Sequence, residues 1–204
     1  VSLPLFGDFN VSNALGCAAV LWALGWSVGE IAAGLATLPQ VPGRLERVSG
    51  PPRSATVLID YAHTPDALER AIAAARPQVR GKLWVVFGAG GDRDPGKRPE
   101  MGRVAAAGAD VTIVTSDNPR TEDPEKIIDD IERGMGSAPR QRIPDRREAI
   151  RHALLNAAPD DVILLAGKGH ETYQIVGKQA RPFDERQVVR EVLAERDESS
   201  GGAG

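Results

Sequence analysis

Cysteine is almost missing from this sequence: Cys17 is the only one in 204 residues. It stands in an apolar run with nothing to pair with, so a disulfide framework is excluded and a reducing, cytoplasmic location is expected. Long apolar runs are missing too. No stretch reaches the roughly 18 to 20 residues of a membrane span, and no basic-then-apolar leader opens the sequence, so no membrane insertion is expected. Charge of one sign is also lacking, because 25 Lys and Arg are interspersed with 28 Asp and Glu for a formal net charge of -3. A phosphate backbone requires a basic stripe, and nucleic acid is set aside as a partner. Only three histidines occur. None has a second His or Cys at ligand spacing, which argues against a metal site.

What is present is ordinary globular material, 42% hydrophobic and 26% charged, enough for one full core. The chain starts abruptly, running straight into helical patterns over about 10–24 and 28–38. Two short helices with Leu15, Leu21, Trp22, Ile31 and Leu35 on their apolar faces cannot close a core. Residues 1–42 are therefore read as the remnant of another domain, ending in a linker marked by Pro39, Pro42 and Gly43. Residues 43–196 are read as one domain, and the polar, glycine-rich stretch 197–204 as a disordered tail.

Within 43–196, runs of strand length alternate with helical patterns, which predicts an α/β fold with a mostly parallel sheet. Residues 44–49 and 55–60 flank a Gly-Pro-Pro turn and suggest a hairpin. Residues 83–87, 111–115 and 162–166 are β-branched or aliphatic runs of fully buried character. Helices are expected over 65–75, 99–107, 124–135 and 146–157, three of them opened by proline, with a second hairpin across Gly177 and Lys178 and a last helix over 184–195. Ligands of such sheets collect beyond the C-terminal ends of the strands, so four loops carry the functional search.

The loop after Phe87 reads Gly88-Ala89-Gly90-Gly91-Asp92-Arg93-Asp94-Pro95-Gly96-Lys97-Arg98-Pro99. It fits neither familiar phosphate-binding pattern. A P-loop needs Ser or Thr where Arg98 stands, and a dinucleotide fingerprint needs glycine where Arg93 stands. An anion site built from backbone N–H groups with Arg93, Lys97 and Arg98 remains, against the plainer reading of a solvated basic turn. The loop after Thr115 sets Asp117, Asn118, Pro119 and Arg120 together. The arginine fork suits a carboxylate and the amide both donates and accepts, although a simple turn-and-cap role fits as well. After Ala166, Gly167 and Gly169 permit close approach of backbone while Glu171 offers a partner for an ammonium group. Cations for carboxylates together with an acid for an amine complement an amino acid. The loop after Ile59 holds Asp60 and His63, read as ribose and polar contacts, with Thr64 as a helix cap. Asn10 and Asn13, three apart on a helix, fit an adenine edge or simply a helix start.

Taken in order, GDFNVSNAL, GRLE, DYAHTPDAL, FGAGGDRDPGKRP, TSDNPRTEDP and AGKGHETYQ closely resemble the Mur ligases of peptidoglycan synthesis that act on UDP-N-acetylmuramoyl-L-alanyl-D-glutamate. The resemblance covers nearly the whole chain except the tail. It implies a Rossmann-like C-terminal domain, and DNPR resembles the version associated with meso-diaminopimelate, since relatives using L-lysine usually vary its last position. By resemblance, Arg93, Asp117, Asn118, Pro119, Arg120, Gly167 and Glu171 would bind the incoming diamino acid. Asn10, Asn13, Arg44, Asp60 and His63 would lie toward ATP. Family members carry, upstream of this chain's start, a UDP-binding domain and an ATPase domain with a P-loop, Mg2+ ligands and a carbamylated lysine. In the family reaction an acyl phosphate forms on the D-glutamate side chain and the amine attacks it, giving an amide, ADP and phosphate. The fragment alone is therefore expected to be inactive. A non-catalytic amino-acid-binding module and a nucleotide-dependent oxidoreductase are the competing readings.

Overall fold

A computed structural model describes residues 1–3, 5–48 and 54–201, the side chains of Asp8 and 197–201 apart. Two helices open it, α1 (Asp8–Ala23) and α2 (Val28–Ala36). They lie side by side with Ala14, Leu21, Ile31 and Leu35 lining the groove between them, while Leu15, Trp22, Leu24 and Val28 remain exposed. Ser27 starts α2 with a capping box: its hydroxyl accepts from the Glu30 amide, and the Glu30 carboxylate accepts from the Ser27 amide.

The rest is built on β1 (Glu46–Val48), β2 (Thr56–Asp60), α3 (Pro65–Ala75), β3 (Leu83–Phe87), α4 (Lys97–Gly108), β4 (Val111–Val114), α5 (Pro124–Met135), β5 (Gln141–Arg142), α6 (Arg146–Asn156), β6 (Val162–Ala166), β7 (Tyr173–Val176), β8 (Gln179–Pro182) and α7 (Glu185–Gly201). The main sheet runs β1-β2-β6-β3-β4-β5. Only β1 is antiparallel to its neighbour; the other pairs are parallel. This is the expected α/β architecture. The turn predicted between β1 and β2 lies outside the described residues.

Strands β3 and β6 are buried at every position because both sheet faces are covered. Leu58, Val85, Phe87 and Leu164 point into a core closed by α3, α4 and α5. Ile59, Val86, Ile163 and Leu165 point into a second one closed by α6 and α7. Three findings differ from expectation. Helix α4 starts at Lys97, two residues before Pro99, which the first turn tolerates because its N–H groups have no partner within the helix. The short edge strand β5 was not foreseen. Helix α7 runs to Gly201, through 197–201 where an irregular tail was expected, carried by helix formers such as Ala194, Glu195 and Arg196. No helix among the described residues is long and apolar enough to cross a membrane.

Candidate functional site

Because β2, β6, β3 and β4 are neighbours and parallel, their C-terminal ends open on one edge of the sheet. The four loops singled out in the sequence start there. The structure places Asn118, Arg120, Gly167 and Glu171 on adjoining loops, two of them in direct contact. Asn118, only 3% exposed, donates through Nδ2 to Glu171 Oε2 at 3.0 Å. Its Oδ1 accepts from the Ile175 amide at 2.9 Å and from Lys168 Nζ at 3.0 Å.

Lys168 is fully buried. Its ammonium also donates to the Tyr173 carbonyl at 2.8 Å and reaches Glu171 Oε2 at 3.4 Å. Burial pulls its pKa below the usual lysine value, and the neighbouring Asp117 carboxylate, 3.5 Å away, acts against that shift. Beneath this lies a second buried charge pair. Arg146, at the start of α6, binds Glu185 at 2.8 Å with both side chains fully enclosed. The same guanidinium donates to the Ala166 carbonyl at 2.9 Å and to the Ser116 carbonyl at 3.4 Å, so it fastens the ends of β6 and β4 to one point.

Arg120 has a left-handed backbone, φ 51°, unusual for a side chain of its size. The hairpin of β7 and β8 holds it there: the Arg120 amide donates to the Ile175 carbonyl at 3.1 Å, and the Gly177 amide donates to the Arg120 carbonyl at 2.7 Å. Gln174 adds a bond from Nε2 to the Asp117 carbonyl at 2.8 Å. The Arg120 side chain donates through Nη1 to the Gly91 carbonyl at 2.7 Å and lies against Gly90, with exposed Arg93 beside the same face of that glycine. The rest of the Arg120 fork has no hydrogen bond among the described residues.

The glycine-rich loop does not present the bare N–H cradle that its composition suggests. Gly91 donates to the Asn118 carbonyl, Asp92 to Glu122 and Gly96 to Asp94. A Cβ on Gly91 would run into the Pro119 carbonyl, so glycine is needed for the two loops to touch. Arg98 is no anion ligand either. It is 2% exposed and paired with Glu122 at 2.8 Å and Asp130 at 2.9 Å, because the first turn of α4 points it inward between the loop and α5. The Arg98 hydrogen bond holds the Glu122 carboxyl below its ordinary pKa. Lys97 donates to the His63 carbonyl at 2.8 Å, tying this loop to the one after β2, and burial lowers its pKa. Of the three cations read as an anion site, Arg93 alone is exposed.

At the end of β2, Asp60 accepts from the Leu45 amide at 2.8 Å and the Ala62 amide at 2.9 Å, and burial raises its pKa. His63 Nδ1 lies 2.8 Å from the Tyr61 carbonyl, and the exposed Arg44 guanidinium sits 5.4 Å above the Tyr61 ring. Asn10 and Asn13 bond to each other at 3.4 Å on α1, where they line an apolar groove of about 1060 Å3 between α1 and α2. No hydrogen bond joins them to the strand-end residues.

The sequence and fold of this sheet domain are matched by known proteins. Residues 43–169 match the family described as Mur ligase, glutamate ligase domain. The chain belongs to the Mur ligase family. As a member of it, the chain is 52% identical over 195 residues to the UDP-N-acetylmuramoyl-L-alanyl-D-glutamate--2,6-diaminopimelate ligase of Gloeobacter violaceus, covering 95% of this chain and 40% of that protein. A solved structure of a ligase with the same name superposes with a TM-score of 0.76 at 40% identity, covering 97% of this chain and 40% of the other. The folylpolyglutamate synthase of Mycobacterium tuberculosis, solved in complex with ADP, shares the fold at a TM-score of 0.61 and 24% identity, over 97% of this chain and 41% of that one. The chain thus spans about two fifths of the length of the curated relatives it matches.

Sequence reasoning foresaw the β7–β8 hairpin across Gly177 and Lys178 but passed over Lys168, Arg146, Glu185 and the hairpin's contacts with the Asp117–Arg120 loop. A charged residue flanked by glycines or opening an amphipathic helix reads as solvated, and only the packing of four elements reveals it as buried. The one signal in the sequence was the alternation in Tyr173–Val176, whose register against the loop after β4 could not be inferred locally.

Proposed function

We propose that the chain is the amino-acid-binding part of an ATP-dependent ligase that adds meso-diaminopimelate to UDP-N-acetylmuramoyl-L-alanyl-D-glutamate in the cytoplasmic stage of peptidoglycan synthesis. The observation that carries this reading is the convergence of the Asn118–Glu171 pair and the half-free Arg120 fork on adjoining strand ends. Glu171 Oε2 is engaged by Asn118 and Lys168, while Oε1 has no partner among the described residues and is available to an ammonium group. The Arg120 fork meets a carboxylate, with Arg93 adding positive charge from beside Gly90. Asp117, Pro119 and Gly167 shape this pocket: Asp117 lies behind Gly167, and the Pro119 carbonyl abuts Gly91.

The residues here do not fit a triphosphate and Mg2+. The hydroxyl that a P-loop turns toward magnesium is replaced by Arg98, whose guanidinium is buried in ion pairs. Activation of the D-glutamate carboxyl therefore belongs to other parts of the enzyme, and this chain delivers the nucleophile. The arriving amine forms the C–N bond as phosphate leaves the acyl carbon. Arg44 and His63, next to Tyr61, form the side turned to ATP, and Asp60 holds that strand end; Asn10 and Asn13, on α1, are assigned to the same ligand by the family resemblance alone. By itself the chain neither hydrolyses ATP nor forms the amide.

The extra carboxylate of meso-diaminopimelate is what separates it from L-lysine, and Arg120 is the group that answers it. In the full-length ligase, Arg120→Ala raises the KM for meso-diaminopimelate about 30-fold to several thousand-fold, the cost of breaking a desolvated ion pair, and leaves the KM for ATP nearly unchanged. Arg120→Lys does not restore it, since a point charge cannot reproduce the fork. An unaltered preference for meso-diaminopimelate over L-lysine in Arg120→Ala would overturn the assignment.

A further inference from the structure

Asn118 has two ways to place its amide, and they offer a ligand opposite chemistry. The surroundings permit one. With Oδ1 where it stands, both of its lone pairs are filled, by Lys168 Nζ at 3.0 Å and the Ile175 amide at 2.9 Å, and Nδ2 meets the Glu171 carboxylate at 3.0 Å. Turned over, the NH2 group would face an ammonium and an N–H, and the oxygen would face a carboxylate. Three contacts would become repulsive in a place where Asn118 is only 3% exposed. The orientation is therefore set by the chemistry of the neighbours, independently of how oxygen and nitrogen are told apart.

Lys168 is suited to this task, and it also sets its charge 3.5 Å from the buried Asp117 carboxylate. Its three ammonium hydrogens have three acceptors, Asn118 Oδ1, the Tyr173 carbonyl at 2.8 Å and Glu171 Oε2 at 3.4 Å. It is fully buried, so it does not meet solvent or present charge at the surface. The positive φ of Gly169, 54°, lets the chain turn directly after it against Tyr61. By contrast Ile175, the other donor to Asn118, comes from the hairpin that also fixes the Arg120 backbone. Lys168 and the hairpin thus grip the amino-acid loop from two sides.

We infer that Lys168 is a positioning residue that locks Asn118 as a pure donor, so that the site accepts a carboxylate oxygen, and not an ammonium or hydroxyl hydrogen, at that point. The inference rests on the amino-acid-binding reading of the preceding section. The same grip leaves Glu171 as the sole acceptor of the Asn118–Glu171 pair and assigns one end of a zwitterion to each residue.

The test uses the 204-residue chain, labelled with 15N, and probes with meso-diaminopimelate and, separately, no ligand. Lys168→Met keeps the length of the side chain and removes its donors. Without ligand it should broaden the Asn118 side-chain amide signals and speed exchange of the Ile175 amide, while the amides of Leu164 and Leu165 in β6 keep their protection. With ligand it should weaken meso-diaminopimelate binding about 10- to 100-fold, the value of one charge-assisted hydrogen bond. Asn118→Asp gives the independent arm: it keeps an acceptor for Lys168 and Ile175 but has no donor, so Ile175 stays protected while affinity falls by a similar factor. Sharp, unshifted Asn118 amide signals in Lys168→Met, or wild-type affinity in Asn118→Asp, would overturn the inference. Should Lys168→Met fail to fold, Lys168→Gln, which is shorter and uncharged, takes its place with the same expected and overturning outcomes. Absence of meso-diaminopimelate binding by the wild-type chain would count against the proposed function, and the ligand-free exchange data would still judge the lock.

Discussion

The two opening helices and the sheet domain treat their apolar side chains in opposite ways. In α1, its C-cap and α2, Leu15, Trp22, Leu24 and Val28 are 65%, 70%, 71% and 74% exposed. In β3 and β6, Val85, Phe87 and Leu164 have no exposure at all, and the charged side chains Lys168, Arg146 and Glu185 are enclosed as well. One region has apolar surface without cover, and the other has charge without solvent. The difference teaches where each region's stability comes from. The sheet domain is held by burial on both faces and can therefore enclose charge, provided each charge is paired. The helices hold together through their contact with each other and through Phe6, which packs on the main core.

The comparison is most directly broken by native-state hydrogen exchange, where the expected effect is largest. Amides of β3 and β6 should open only with global unfolding, on the order of 5–15 kcal/mol, whereas amides of α1 and α2 should exchange through local opening of about 1–2 kcal/mol. Protection in α1 equal to that in β6 would show that the helices are an integral part of the domain and move the boundary at residue 43.

A smaller but still large effect tests the enclosed charge. Arg146→Ala leaves Glu185 buried without its partner and should cost about 3–5 kcal/mol in urea unfolding. The pair Arg146→Met with Glu185→Leu should recover most of that loss, because no charge is left unpaired. A loss under about 1 kcal/mol for Arg146→Ala would mean that the pair is not desolvated as the structure shows.

The smallest effect belongs to the helices. Ser27→Ala removes the capping box of α2 and should cost about 1 kcal/mol, felt as faster exchange of the α2 amides with no change in the urea midpoint of the whole. A shifted midpoint would show that α2 unfolds together with the sheet and would erase the contrast between the two regions.

Much of the fold was legible residue by residue. Leu83–Phe87 and Val162–Ala166 read as buried strands because an unbroken aliphatic run has no face to give to water. Pro65 and Pro124 marked helix starts because a first-turn residue has no N–H bond to lose. The two-residue strand β5 escaped notice because it is too short to show a period. Of the candidate site, Asn118, Arg120, Gly167 and Glu171 were picked out by residue type beside glycine and proline, and the structure brings their loops together. Arg98 was misread as an anion ligand, because local sequence carries no sign that α5 supplies Asp130 and that Glu122 follows from the next loop.

The sequence by itself determined the alternation of strands and helices, the loops that carry chemistry and the family, since these depend on residue type and spacing along the chain. Only the tertiary structure decided the strand order that makes those loops neighbours, the burial of Lys168, Arg146 and Arg98, and the orientation of the Asn118 amide. The physical reason is that whether a charge is solvated or paired, and which atom of an amide faces which neighbour, depends on groups far away in the chain, from 24 positions for Arg98 and Glu122 to 50 for Asn118 and Lys168.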